Sequence, residues 1–298
     1  MILSDYHRPV LLSKVIDLLQ VKNGKFYIDA TLGGGGYTLE ILRRGGKVLG
    51  LDLDSDSIEL VSKKEVDYVA RKQLVLIREN FTKLKKCAAE AGYLKVSGII
   101  FDLGLSSWQL DKSKRGFSYL KDEALDMRFD QNGGLTAWDI VNKYSERQIY
   151  EIFTKNSEEL NSRAIAQAIV RARSLNGPVK TTFALNGIIK NVIKDDRLSS
   201  YYKVLSRIYQ AIRIEVNAEL KNLTIGLAQS IELLQSGGRI VVLSYHSLED
   251  RIVKRTFEKA EVTNKLKILT KKPIFADFYE VKNNSRSKSA KLRAVEKI

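Results

Sequence analysis

Cysteine, histidine, tryptophan and proline are all scarce in this 298-residue chain, at one, two, two and three residues. The single cysteine, Cys87, excludes an internal disulfide, and two histidines leave too few soft ligands for a structural zinc site. No metal is therefore expected. No apolar run approaches the roughly eighteen residues that a membrane span needs. The N-terminus MILSDYHRPVLL also lacks the basic start, long apolar run and small-residue cleavage site of a signal peptide. These absences point to a reducing cytoplasm and to no membrane partner.

Positive charge is what the chain has in excess. Fifty Lys and Arg stand against 35 Asp and Glu, a net charge of +15. Such an excess attracts polyanions and supplies the counterion-release part of nucleic-acid affinity. A basic proteome or a solubility effect is the bland alternative, and a nucleic-acid partner is the favoured reading. With 44% hydrophobic and 29% charged residues, the composition is that of a globular protein with a real core.

Short runs rich in Val, Ile and Leu recur at KFYIDA (25–30), KVLGLD (47–52), QLVLIREN (73–80) and VSGIIFDL (96–103). Polar stretches of helical character lie between them, SDSIELVSKKEVDYVARK among these. Alternation of this kind predicts buried parallel strands in a doubly wound α/β sheet. Residues 105–135 are rich in Gly, Ser and Asp and lose the rhythm. Residues 136–235 read as almost continuous helix, with a capping-box pair at Ser145 and Gln148. Strand character returns at GRIVVLSY (238–245), and LKILTK and KLRAVEKI suit closing strands. A sheet that starts, pauses for a helical insertion and resumes is the expected organisation.

Four consecutive glycines, Gly33 to Gly36, follow the first strand in YIDATLGGGGYT. Ligands of open α/β sheets bind at that edge, outside the strands' carboxyl ends. A helix starting near Tyr37 would turn its first N–H groups toward such a ligand. A phosphate loop needs Gly-Lys-Ser/Thr at its end, and here Tyr37 and Thr38 follow Gly36. The dinucleotide pattern G-x-G-x-x-G matches at Gly33 and Gly35 but meets Thr38 at its third position.

Three acids mark the same edge. Asp52 ends the second strand, placed to accept both hydroxyls of a ribose. Asp54 or Ser55 suits the cap of the next helix. Asp29, on the first strand, would repel a pyrophosphate and would suit the amino group of a methionine moiety. Together they favour S-adenosylmethionine over NAD. Asp102 ends the fourth strand within reach of the adenine or the reacting group.

DATLGGGGYT joined to DLGLSSWQLD (102–111) resembles a known family. So do RGFSYLKDEALDMRFD (115–130), QAIRIEVNAEL (210–220), SYHSLEDRIVKR (244–255) and the tail NNSRSKSAKLRAVEK. The chain is similar, over nearly its whole length, to the bacterial ribosomal RNA small-subunit methyltransferase H family, also called MraW. The resemblance implies a Rossmann-like class I methyltransferase domain (1–108 and 216–298) and an inserted, mostly helical substrate domain (109–215). It implies methyl transfer from S-adenosyl-L-methionine to N4 of one cytidine in the decoding region of 16S rRNA, with the small ribosomal subunit as partner. The oligomeric state stays open, a homodimer being one option.

By matching motifs, Gly35, Gly36 and Tyr37 would line the methionine end of the cofactor, with Asp29 beside it. Asp52 would hold the ribose, Phe81 would lie against the adenine, and Asp102 and Gln109 would complete the pocket. Departures from the family pattern include Tyr37 for histidine, Trp108 for proline and Ser285 for proline. The segment KVLSRIYQA (203–211) departs too, while keeping Arg207 and Gln210.

Cytosine's exocyclic amine is a poor nucleophile, because its lone pair is delocalised into the ring. In-line transfer from a sulfonium therefore needs alignment, an unstacked base and an acceptor for an amine proton. The Asp/Asn-Pro-Pro-aromatic motif that often supplies the acceptor is absent from Asp102-Leu-Gly-Leu. The remaining candidates are Asp126, His246 and a backbone carbonyl in 103–107. An ordinary salt-bridged loop also explains Asp126 with Arg128, and a structural histidine explains His246. Ser247 with Asp250 reads as the cap of the following helix. Arg128, Arg207, Arg213, Arg286 and Lys288 are the RNA-contact candidates. A solvated helix face is the simpler reading of any one of them. Tyr37, Trp108 and Phe117 are possible base-stacking rings, equally explained by buried packing. The rival functions are a methyltransferase acting on DNA or another RNA, an assembly factor that keeps the pocket without turnover, and an NAD-dependent dehydrogenase.

Overall fold

The structure is a computed structural model, and it describes residues 9–193 and 197–298. By its internal contacts the chain divides into two compact units, 1–106 with 220–298, and 107–219.

The first unit opens with α1 (Leu12–Leu19), β1 (Phe26–Asp29), α2 (Gly36–Arg43), β2 (Lys47–Asp52), α3 (Ser55–Lys64), α4 (Val66–Ala70), β3 (Leu74–Arg78), α5 (Leu84–Glu90) and β4 (Val96–Asp102). The second unit holds α6 (Ser107–Asp111), α7 (Ala137–Lys143), α8 (Glu146–Ser157), α9 (Ser162–Asn176), α10 (Thr182–Lys190) and α11 (Leu198–Asn217). Helix α12 (Glu219–Leu233) returns the chain to the first unit, which ends with β5 (Leu234–Ser244), α13 (Ser247–Val262), β6 (Leu266–Ile268), α14 (Phe278–Asn283) and β7 (Lys291–Lys297).

The seven strands pair in the order β3-β2-β1-β4-β5-β7-β6. Strands β1 to β5 pair in parallel with one another, and β7 runs antiparallel to both β5 and β6. Consecutive βα units run outward from β1 through β2 to β3, and the chain then crosses back to place β4 on the other side of β1. That reversal opens a crevice at the carboxyl ends of β1 and β4, where open α/β sheets take their ligands. The strands read as unbroken apolar runs because both sheet faces are covered. Ile28, Leu49, Phe101 and Val242 lie in one cluster, with Phe257 of α13 and Leu227 of α12. Tyr27, Val48, Ile100 and Val241 lie in another, with Ile16 of α1 and Ile41 of α2. Burying each such side chain contributes about 1.5–3 kcal/mol before entropic costs.

The expected continuous helix resolves into separate helices because local caps break it. Ser145 and Gln148 form the anticipated reciprocal box at α8, and Thr136 with Asp139 forms another at α7. Gly177 adopts φ 80° immediately before Pro178 and ends α9. Strand β5 starts at Leu234, earlier than the apolar run suggested. The cap expected at Ser247 lies one residue earlier. His246 accepts the Glu249 N–H and the Glu249 carboxylate takes the Tyr245 and His246 N–H groups, so Ser247 is the first helical residue. Asp250 instead receives the Arg293 guanidinium, at 2.6 Å from Nε.

Candidate active site

Strand β1 delivers Asp29 and then turns through Thr31 to Gly36 into α2. Gly33 (φ +49) and Gly35 (φ +76) adopt the left-handed conformation that an L side chain resists. Gly35 faces Val61, whose Cγ2 would lie 2.8 Å from an added Cβ. Gly36 faces Pro9, whose Cγ would lie 2.2 Å away. Two of the missing side chains thus make room for the protein itself, letting the 9–11 segment and α3 close on the loop. Beside these parts lies a small open cleft lined by Pro9, Thr31, Leu32, Gly33, Gly34, Gly36, Tyr37, Asp102, Gly104 and Ser106.

Asp52 fastens the loop. Its Oδ2 accepts the Gly33 N–H at 2.8 Å, and its Oδ1 accepts the Asp54 N–H at 2.9 Å. Asp54 caps α3, one of the two caps the sequence offered there. Asp52 keeps some accessible surface, yet burial raises its pKa to about 6. Asp29 is fully buried. Its Oδ2 accepts the Thr38 hydroxyl at 2.8 Å, and its Oδ1 takes the Thr31 N–H at 3.3 Å. Burial, with smaller contributions from Asp102 and Asp52, raises its pKa to about 7. Asp102 Oδ1 accepts the Tyr245 hydroxyl at 2.6 Å, while its N–H donates to Thr31 Oγ1 at 2.6 Å. Negative charge is therefore concentrated at the strand ends, and a cationic ligand would favour the ionised carboxylates there.

Other expected cofactor contacts fall as follows. Tyr37 is buried, lines the cleft and donates its hydroxyl to Val10 O at 2.6 Å. Phe81 meets Phe101 edge-on, ring centroids 5.5 Å apart, and packs on Gly226. Gln109 is buried on α6 in the helical unit. Two features escaped the sequence reading. Tyr245 anchors Asp102, and Pro9 walls the cleft; both partners are distant in sequence and carry no local pattern.

The expected catalytic and RNA-contact residues are engaged in several ways. Asp126 holds the Arg128 guanidinium through both oxygens, the closest contact being 2.7 Å. His246 accepts the Glu249 N–H at Nδ1, which assigns the proton of the neutral ring to Nε2. That Nε2 is buried, 3.1 Å from Glu249 Oε1 but without hydrogen-bond geometry. Arg213, offered as an RNA contact, instead forks onto Glu219 at 2.8 and 3.0 Å, and both side chains are largely buried. Arg207 reaches buried Glu159 at 3.3 Å while staying half exposed. Arg286 and Lys288 lie on the short turn Ser285–Ser289. Phe117 is buried, stacked on Phe129 at 5.6 Å, so its ring serves packing.

The 3-2-1-4-5-7-6 sheet with its reversed seventh strand, and a glycine turn and strand-end acids at the crevice, define a Rossmann-like class I methyltransferase. The comparisons with known proteins agree. A model of the MraW methylase family matches residues 4–298. Ribosomal RNA small subunit methyltransferase H of Carboxydothermus hydrogenoformans is 41% identical over 308 residues, covering 98% of each chain. Proteins of the same name from Lachnospira eligens and Syntrophus aciditrophicus are 40% and 39% identical, again with 98% of each chain covered. The chain belongs to the MraW methylase family. It is an rRNA methyltransferase whose methyl donor is S-adenosyl-L-methionine.

Proposed function

We propose that the protein methylates N4 of a cytidine in the decoding region of 16S rRNA, with the small ribosomal subunit as the substrate particle. The observation that carries this reading is the cleft at the β1–β4 crevice, walled by the glycine turn and Asp102, in a chain whose relatives are named for the small-subunit rRNA. The donor set fits the cofactor. Buried Asp29 and partly accessible Asp52 suit a ligand bearing ammonium and sulfonium charge, and no lysine follows the glycines to hold a phosphate. The same charges argue against NAD.

When bound, S-adenosylmethionine supplies a methyl group on a sulfonium. The protein's part is orientation. Asp52 takes the ribose hydroxyls, Asp29 stabilises the ammonium through the field of its carboxylate, and Phe81 faces the adenine. The amine must lie in line with the methyl, its lone pair localised by an acceptor for one N–H. A backbone carbonyl in the Gly104–Ser106 wall fills that role, beside Asp102, and the proton released after transfer passes to water. Asp126 and His246 are the weaker candidates. The first already binds Arg128, and the second presents a protonated Nε2. Arg128, Arg207, Arg286 and Lys288 remain as phosphate contacts.

Incubation of labelled S-adenosylmethionine with small subunits, naked rRNA and DNA, followed by nucleoside digestion and mass spectrometry, tests this. N4-methylcytidine from the small subunit is the expected product. Label only in DNA defeats the rRNA assignment, and cofactor binding with no label in any nucleic acid leaves only the assembly-factor reading.

A further inference from the structure

The segment between β6 and β7 carries chemistry that cofactor binding does not use. Residues 271–288 hold five basic residues and two acidic ones. Phe275, Phe278 and Tyr279 are 58%, 75% and 76% exposed. Single exposed aromatics are ordinary, but three within five residues make a patch that calls for a partner. Phe278 and Tyr279 open α14 with ring centroids 6.0 Å apart and planes at 77°, so they present faces in different directions. The five basic residues outnumber the two acids, and both acids accept backbone N–H groups. Asp277 caps α14 by accepting the Glu280 N–H at 2.8 Å, and Glu280 accepts the Leu11 N–H. Lys271, Lys272, Lys282 and Lys288 are exposed, and among the described residues none has a carboxylate partner.

The patch is tied to the cleft from two sides. Leu11, held by Glu280, is two residues from Pro9 of the cleft wall. Arg286 acts electrostatically on Tyr245, whose hydroxyl binds Asp102 of the same wall. Exposed rings among unpaired lysines suit a polyanion whose bases are unstacked, because every base offers a π face and every nucleotide a phosphate. A protein partner would need acidic groups to meet the lysines as well as apolar groups to meet the rings, whereas a single strand of RNA carries both phosphate and base faces on every nucleotide.

We propose that Phe275, Phe278 and Tyr279, with Lys271, Lys272 and Lys282, form a stacking platform for the single-stranded RNA that flanks the target base. This rests on RNA being the substrate, as argued above. It adds a surface on the sheet-bearing unit to the arginines of the helical unit.

Fluorescence anisotropy on the full chain, with a labelled single-stranded oligoribonucleotide and a hairpin duplex of equal length, tests the platform. F278A/Y279A weakens single-strand binding at least tenfold and duplex binding less than twofold, with cofactor affinity unchanged in calorimetry. F278L/Y279L, apolar but without a π face, stays weak, whereas F278W/Y279W restores binding. K271A/K272A lowers the slope of log K against log salt by about 1.4 for single strands. Wild-type single-strand affinity in F278A/Y279A, equal losses on strand and duplex, or full rescue by leucine overturns the proposal. The anisotropy needs no turnover, so it judges the platform separately. Absence of methyl transfer by the wild type to small subunits would count against the enzyme reading alone.

Discussion

In the helical unit the guanidinium of Arg213 forks onto Glu219, Arg128 binds Asp126, Arg207 reaches Glu159, and Arg173 donates to the carbonyls of Val141 and Tyr144. At the carboxyl edge of the sheet, Asp29 and Asp52 are instead met by a threonine hydroxyl and by backbone N–H groups. Burial then pushes both carboxyl pKa values up. A fold that neutralises its charges internally uses them for cohesion. Carboxylates that receive only neutral donors are poised for a cation from outside, the role proposed above for the methyl donor.

The largest effect expected from that contrast lies at Asp52. Asp52→Ala removes the proposed ribose acceptor and the tether of Gly33, and should weaken cofactor binding at least a hundredfold, about 2.7 kcal/mol. Calorimetry showing unchanged affinity would remove Asp52 from the site. In the other unit, Arg213→Ala should leave cofactor affinity alone and destabilise folding by about 2 kcal/mol, because it strands Glu219. Arg207→Ala, half exposed, should cost less than about 1 kcal/mol. Denaturant titration ranks the two. Reduced RNA affinity in R213A at wild-type stability would break the comparison, by making Arg213 a contact and not a brace.

The smallest expected effect is a pH dependence. Asp29 titrates near 7 and Asp52 near 6 in the folded, ligand-free protein, above the ordinary carboxylate value of about 4. The folded state therefore holds these protons more tightly than the unfolded one. Their contribution to stability is full below pH 4 and is lost as pH rises through 6 to 7. Asp29→Asn should accordingly raise the melting temperature of the ligand-free protein more at pH 8 than at pH 5. Cofactor binding runs the other way, since the cation favours ionised carboxylates, so wild-type affinity should be several-fold weaker at pH 5.5 than at pH 8. A flat affinity profile in the wild type would mean that the buried acids do not face the ligand's charge.

Local chemistry was legible in the residues. The glycine turn, the strand-end acids and the Ser145–Gln148 box each depend on neighbours within a few positions or on one strand-to-strand step. The cap of α13 shows the limit. Ser247 with Asp250 and His246 with Glu249 are both acceptable boxes, offset by one residue. The path of the chain leaving β5 and the pull of Arg293 on Asp250 select the second. Tyr37 was legible as the residue ending the glycine run, but not as a donor to Val10, twenty-seven positions upstream.

By itself, then, the amino-acid sequence determined the alternation of strands and helices, the turn at Gly33–Gly36 and the placement of Asp29, Asp52 and Asp102 at strand ends. Periodicity and backbone restriction act over short stretches, so these are encoded locally. Only the tertiary structure decided which charges are satisfied. Arg213 became a brace, Tyr245 the anchor of Asp102, and Phe275, Phe278 and Tyr279 were left in water, because burial and pairing are properties of residues brought together from far apart in the chain.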